Sequence, residues 1–163
     1  MDKHLQSMWE EINETYFSGE LQPLAAIGWE ETSGEDGIGA HGMFVAASRC
    51  IIIDQKYRFD ADAIREGDEN ERAKCEIAYR LMMHEMVHQA VHQREGKKGG
   101  HGAPFLAEAE RISRLMGEEP PTAENVLRWP LHRVASFNQT CSQGETPADE
   151  HPKEPDQATP KAD

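Results

Sequence analysis

Hydrophobic positions recur with helical spacing at the start of the chain. Leu5, Met8, Trp9, Ile12 and Tyr16 fall at i, i+3, i+4, i+7 and i+11 among Gln, Glu and Asn, which predicts an amphipathic helix whose Met and aromatic stripe is core. Gly19 is placed to stop it, and Pro23 lies beyond the end. The pattern then shortens. Ala25 to Glu31 reads as a first strand, Ala40 to Val45 as a second and Arg49 to Ile53 as a third, with a glycine-rich turn over 33–42. Three consecutive isoleucines, Ile51, Ile52 and Ile53, suggest a strand covered on both faces. A polar, acidic stretch from Arg58 to Arg72 follows, with room for one short helix at Ala61, Ala63 and Ile64, and reads as a solvated face without chemistry.

Helical spacing returns between Glu71 and Gln93, which hold neither Pro nor Gly. Ile77, Leu81, His84 and His88 share one stripe there. This helix should stop near Gly96, and Pro104 opens another with Phe105, Leu106, Ala109, Ile112 and Leu115 as its apolar face. Pro120 and Pro121 break that helix, Thr122 is placed to cap a short one through Val126 and Leu127, and Trp129, Pro130 and Leu131 pack as a last piece of core. The expected architecture is α+β: an N-terminal helix, a small three-stranded sheet, a long central helix and a following packed helix. One domain covers 1–135, and 136–163, rich in Pro, Gln, Thr and acidic residues, should be a disordered tail.

Composition narrows the function classes. The formal charge of −13 argues against a strongly basic nucleic-acid module. Arg94, Lys97 and Lys98, with Arg111 and Arg114 on the next helix, form the one local basic feature near the central helix that could meet a phosphate backbone. Cys50, Cys75 and Cys141 are odd in number and hold no C-x-x-C pair, so neither a disulfide framework nor a zinc ribbon is indicated and a reducing compartment is expected. With no signal-peptide core at the N-terminus and no membrane-length apolar run, the expected location is the cytoplasm.

The central helix carries the chemistry. His84, Glu85, Met86, Val87 and His88 spell H-E-x-x-H. Residues four apart sit about 6 Å apart on adjacent turns, so both imidazoles can reach one tetrahedral zinc, while Glu85 stands one step round as a candidate base for water. The competing reading is a solvated helix with surface histidines. Its weakness is that both histidines continue the stripe of Ile77 and Leu81.

A third protein ligand is required. His92 is about 12 Å along the axis from His84, too far for the same ion. A ligand six residues past His88 would be Arg94, which excludes the metzincin arrangement. The remaining donors are His101, between two glycines, or a carboxylate on the next helix, Glu108 first and Glu110 second; His101 is favoured for zinc's acceptance of imidazole. His41 and Tyr57 are conceivable donors to a developing oxyanion, although a histidine beside Gly42 is more simply a surface residue in a turn.

The run His84-Glu85-Met86-Val87-His88 followed by Gly100-His101-Gly102-Ala103-Pro104-Phe105 resembles the SprT-like metalloprotease domain of bacterial SprT and eukaryotic Spartan. Tyr16-Phe17-Ser18-Gly19-Glu20-Leu21 is similar to the end of that family's first helix, so the likeness spans about Leu5 to Leu115. It implies a zincin-like fold, zinc held by His84, His88 and His101, Glu85 as general base, and peptide-bond hydrolysis of a protein or peptide substrate. Eukaryotic relatives cleave proteins crosslinked to DNA in a DNA-dependent manner. This chain has no Cys-rich DNA-binding element downstream and is acidic overall. The alternative is a zinc-bearing adaptor in replication or repair complexes that cleaves nothing.

Overall fold

A computed structural model describes residues 2–32, 41–96 and 100–130. Its elements are α1 (Lys3–Phe17), β1 (Ala26–Glu30), β2 (Gly42–Val45), β3 (Cys50–Asp54), α2 (Ala61–Arg65), α3 (Glu69–Glu95) and α4 (Ala103–Met116), with short 3-10 turns at Gln55–Tyr57 and Val126–Arg128. The architecture is α+β. The sheet is ordered β1-β3-β2, with β1 parallel and β2 antiparallel to the central β3.

Helix α1 forms as its pattern requires. Asp2 caps it, one carboxylate oxygen accepting the His4 and Leu5 N–H groups at 3.0 and 3.2 Å while the other accepts the Trp29 indole N–H at 3.0 Å, which ties the helix start to β1. Leu5, Met8, Trp9, Ile12 and Tyr16 are buried. The helix ends at Ser18 and Gly19, both at positive φ. Gln89 of α3 accepts from the Trp9 indole at 3.1 Å and donates to the Gln22 carbonyl at 2.7 Å, locking α1 and the chain after it onto the central helix.

The acidic stretch before α3 does more than solvate. Asp60 caps α2 and Asp68 caps α3, each accepting two backbone N–H groups. Helix α3 is buried from Met82 to Val87, with α1, the sheet and α4 packed against it. Its Ile77, Leu81, His84 and His88 stripe faces a cleft rather than the core; Cys75, Ala78, Tyr79, Met82, Met83, Met86, Val87 and Ala90 are packed inside.

Other expectations are corrected by packing. Ile51 and Ile53 are fully buried against the helices, but Ile52 points to the opposite face and is only half-buried, so β3 is not sealed on both sides. Leu115 is 61% exposed, outside the face by which Phe105, Ala109 and Ile112 hold α4 to the core. The short helix after Thr122 is a 3-10 turn. Cys75 is disulfide-bonded where no disulfide was indicated, while Cys50 is free. The turn over 33–40, Lys97, Lys98, Cys141 and the tail lie outside the described residues.

Candidate metal centre

His84 and His88 leave α3 from consecutive turns, and His101 stands just ahead of α4. The three rings close on one point. One ring nitrogen from each lies within 4.8 Å of the others, and His84 Nε2 and His101 Nε2 are 2.8 Å apart. Phe105 sits behind them, its ring centroid 4.9 Å from His84, 4.5 Å from His88 and 4.7 Å from His101, so one apolar plate supports all three imidazoles.

Two contacts fix the orientation. His84 Nδ1–H donates to the Trp129 carbonyl at 3.2 Å, which leaves the Nε2 lone pair aimed at the other two rings. Trp129 is itself held by its indole N–H on Ser113 Oγ at 2.8 Å and by edge contact with Phe105, and Arg80 Nε donates to the next carbonyl, Pro130, at 2.8 Å.

Glu85 is 5% exposed and turned toward the sheet, where Oε2 accepts the Phe44 N–H at 2.7 Å. Burial pushes its carboxyl up to about 7, against the opposing pull of that hydrogen bond. The histidines move the other way. Burial brings His84 to about 4 against the opposing pull of its Trp129 hydrogen bond, with a smaller lowering from His101; burial and then the charges of His84 and His101 bring His88 to about 3, and burial also lowers His101. Three neutral imidazoles with free lone pairs at neutral pH are the donor set a divalent ion requires. His84, His88 and His101 therefore lie close enough to hold a metal ion.

The rival donors are engaged elsewhere. Glu108 is clamped between Arg94 and Arg111, each at 2.7 Å; burial raises its carboxyl, but the two guanidiniums outweigh burial and hold it below the usual range. Glu110 pairs with Arg114. The same contacts occupy Arg94, Arg111 and Arg114, the cations that sequence reading grouped as a basic feature. His41 is an exposed residue on the rim, its Nδ1 3.0 Å from Lys56 Nζ and its ring edge-on to Tyr57. Trp129, Phe44 and Gly42 were not singled out as site residues. Gly42 and Phe44 sit on an ordinary strand and Trp129 lies 45 positions from His84, so no local spacing marks them.

The centre opens into a cleft of about 720 Å³ bounded by β2, α3 and the segment Leu127 to Pro130. No family model, curated protein or solved structure matches the chain. Among the described residues no helix is long and apolar enough to cross a membrane.

Proposed function

We propose that this chain is a zinc-dependent endopeptidase of the SprT-like type, acting on protein or peptide substrates. The observation that carries the reading is the convergence of His84, His88 and His101 beside the buried carboxylate of Glu85 at the floor of an open cleft. A purely structural zinc site is closed by four protein ligands, whereas three imidazoles leave a position free. Zinc held by these histidines supplies Lewis acidity toward water and a substrate carbonyl.

The protein's own groups do the rest. Glu85 Oε2 is committed to the Phe44 N–H, so Oε1 is the atom that takes a proton from the attacking water and returns it to the departing amine. Gly42 makes room for it: a Cβ there would stand 3.1 Å from Oε1. Strand β2 is a sheet edge, and the Asp54 N–H to His41 carbonyl bond sets its alternation. By that alternation the backbone groups of Gly42 and Phe44 face away from β3. A peptide lying extended beside β2 meets the Gly42 N–H and carbonyl and the Phe44 carbonyl, contacts that read backbone rather than side chains.

The relatives named by resemblance act on proteins crosslinked to DNA, and a DNA-associated substrate is part of the proposal. Arg94, Arg111 and Arg114 lend it little support, since each faces a carboxylate. The deciding experiment is cleavage of casein and of a protein–DNA crosslink by zinc-loaded protein, with and without single-stranded DNA, against a chelator and Glu85→Gln. Cleavage lost in both controls supports the hydrolase. Zinc bound at one equivalent with no cleavage of any substrate would point to the adaptor instead.

A further inference from the structure

The chain carries 30 acidic against 17 basic residues, yet among the described residues lining the cleft Glu85 is the sole carboxylate. Arg80 and Arg128 line it as well, and neither has an ion pair among the described residues. Of the other described arginines, Arg65, Arg72, Arg94, Arg111 and Arg114 face carboxylates, while Arg49 and Arg58, outside the cleft, have no ion pair either. Arg80 stands one turn before His84 on the same helical face, and only its Nε is occupied, by the Pro130 carbonyl. Apolar side chains line the same cleft. Ile77 and Leu81 come from α3, and Leu127, 75% exposed, faces the cleft from the segment opposite; Met43, 43% exposed, closes the β2 side. Two of the three large hydrophobics exposed among the described residues are thus in this cleft.

We infer that the cleft takes a peptide segment that places a large apolar side chain on Ile77, Leu81 and Leu127 and a carboxylate on Arg80 and Arg128. This rests on the peptidase reading above and names its substrate class. The fit is one of charge and polarity together: an acidic protein repels acidic chains at long range, and two guanidiniums without an ion pair among the described residues, in a cleft with apolar side chains, select those whose carboxylate arrives next to a hydrophobic residue. A free C-terminus and an Asp or Glu side chain offer the same group.

The test uses short labelled peptides carrying Leu or Ala next to Glu, Gln or Lys, each made with a free and an amidated C-terminus. Zinc-loaded full chain is assayed for cleavage, and zinc-loaded Glu85→Gln for binding by fluorescence anisotropy. Leu-Glu peptides should be preferred over Leu-Lys about fivefold, the scale of one exposed ion pair, with the preference fading in high salt. Arg128→Glu, a change at an exposed position, should reverse it, and Leu127→Ser should narrow the advantage of Leu over Ala. Preference that survives amidation assigns the carboxylate to the side chain; preference confined to free ends assigns it to the terminus. No acidic preference in either assay, or a preference untouched by Arg128→Glu, overturns the inference. Selective binding by Glu85→Gln without cleavage by the wild type would instead sink the peptidase reading and leave the subsite standing.

Discussion

Glu85 Oε2 accepts the Phe44 backbone N–H at 2.7 Å, so the carboxylate of the central helix is fastened to the edge strand on which a substrate would lie. In the proposed mechanism a base held in this way would work from one oxygen and one direction. Glu85→Gln keeps an acceptor for Phe44 and removes the base. Metal content is expected to stay near one equivalent while cleavage falls by about 10²- to 10⁴-fold, the usual worth of a general base. Paired metal analysis and peptide cleavage check it.

Gly42 should matter for the same carboxylate. Its added Cβ would stand 3.1 Å from Glu85 Oε1 and 3.3 Å from Cγ, so Gly42→Ala forces the side chain aside. The expected result is a drop of about tenfold in kcat with zinc affinity nearly unchanged, because the base moves and the ligands do not. Zinc titration beside steady-state kinetics separates the two.

His101→Ala should lose zinc and Glu108→Ala should keep it. The second change is structural: it strips Arg94 and Arg111 of their shared partner, at an expected cost of about 1–3 kcal/mol, since both guanidiniums remain half-exposed. Urea denaturation of metal-loaded samples measures it.

That stabilisation has a defined pH dependence. The Glu108 carboxyl titrates below its ordinary value in the folded protein, so the folded state binds fewer protons than the unfolded state as pH falls. Its contribution is full above the unfolded pKa of about 4.3 and disappears as pH drops through the lower folded value. Wild type and Glu108→Gln should therefore differ most near neutrality and converge in acid, as unfolding curves between pH 7 and 3 would show.

Phe105 supports all three imidazoles, and Phe105→Ala should cost about 3–5 kcal/mol in stability and weaken zinc binding together. Phe105→Leu should recover most of the stability and less of the affinity. Conversely, free zinc at 100 times its Kd should stabilise the wild type by about 2.7 kcal/mol, a gain that a chelator abolishes. Thermal melts with and without zinc report both.

What was legible from the sequence is what local spacing dictates. Three-and-four repeats gave α1, α3 and α4, short apolar runs bounded by turn residues gave the three strands, and the His84–His88 interval put two imidazoles on one helix face. The third donor was a choice between His101 and Glu108; the structure brings His101 to the other two histidines and holds Glu108 on Arg94 and Arg111, an arrangement no spacing reveals. Ile52 and Leu115 looked like core because hydrophobicity says only that a residue can be buried. Whether it is depends on which element arrives to cover it. Trp129 was expected to pack, and it does, at 2% exposure; its carbonyl's role toward His84 is a tertiary contact without a sequence signature.

The hydrogen bond from His84 to the Trp129 carbonyl gives the centre a fastening 45 residues further along the chain. Ion occupancy and docking of that downstream stretch are then halves of a single equilibrium, each tightening the other by an equal free energy. Amide exchange around Val126 should slow when zinc is added, and a chain cut short ahead of Trp129 should release its ion more readily.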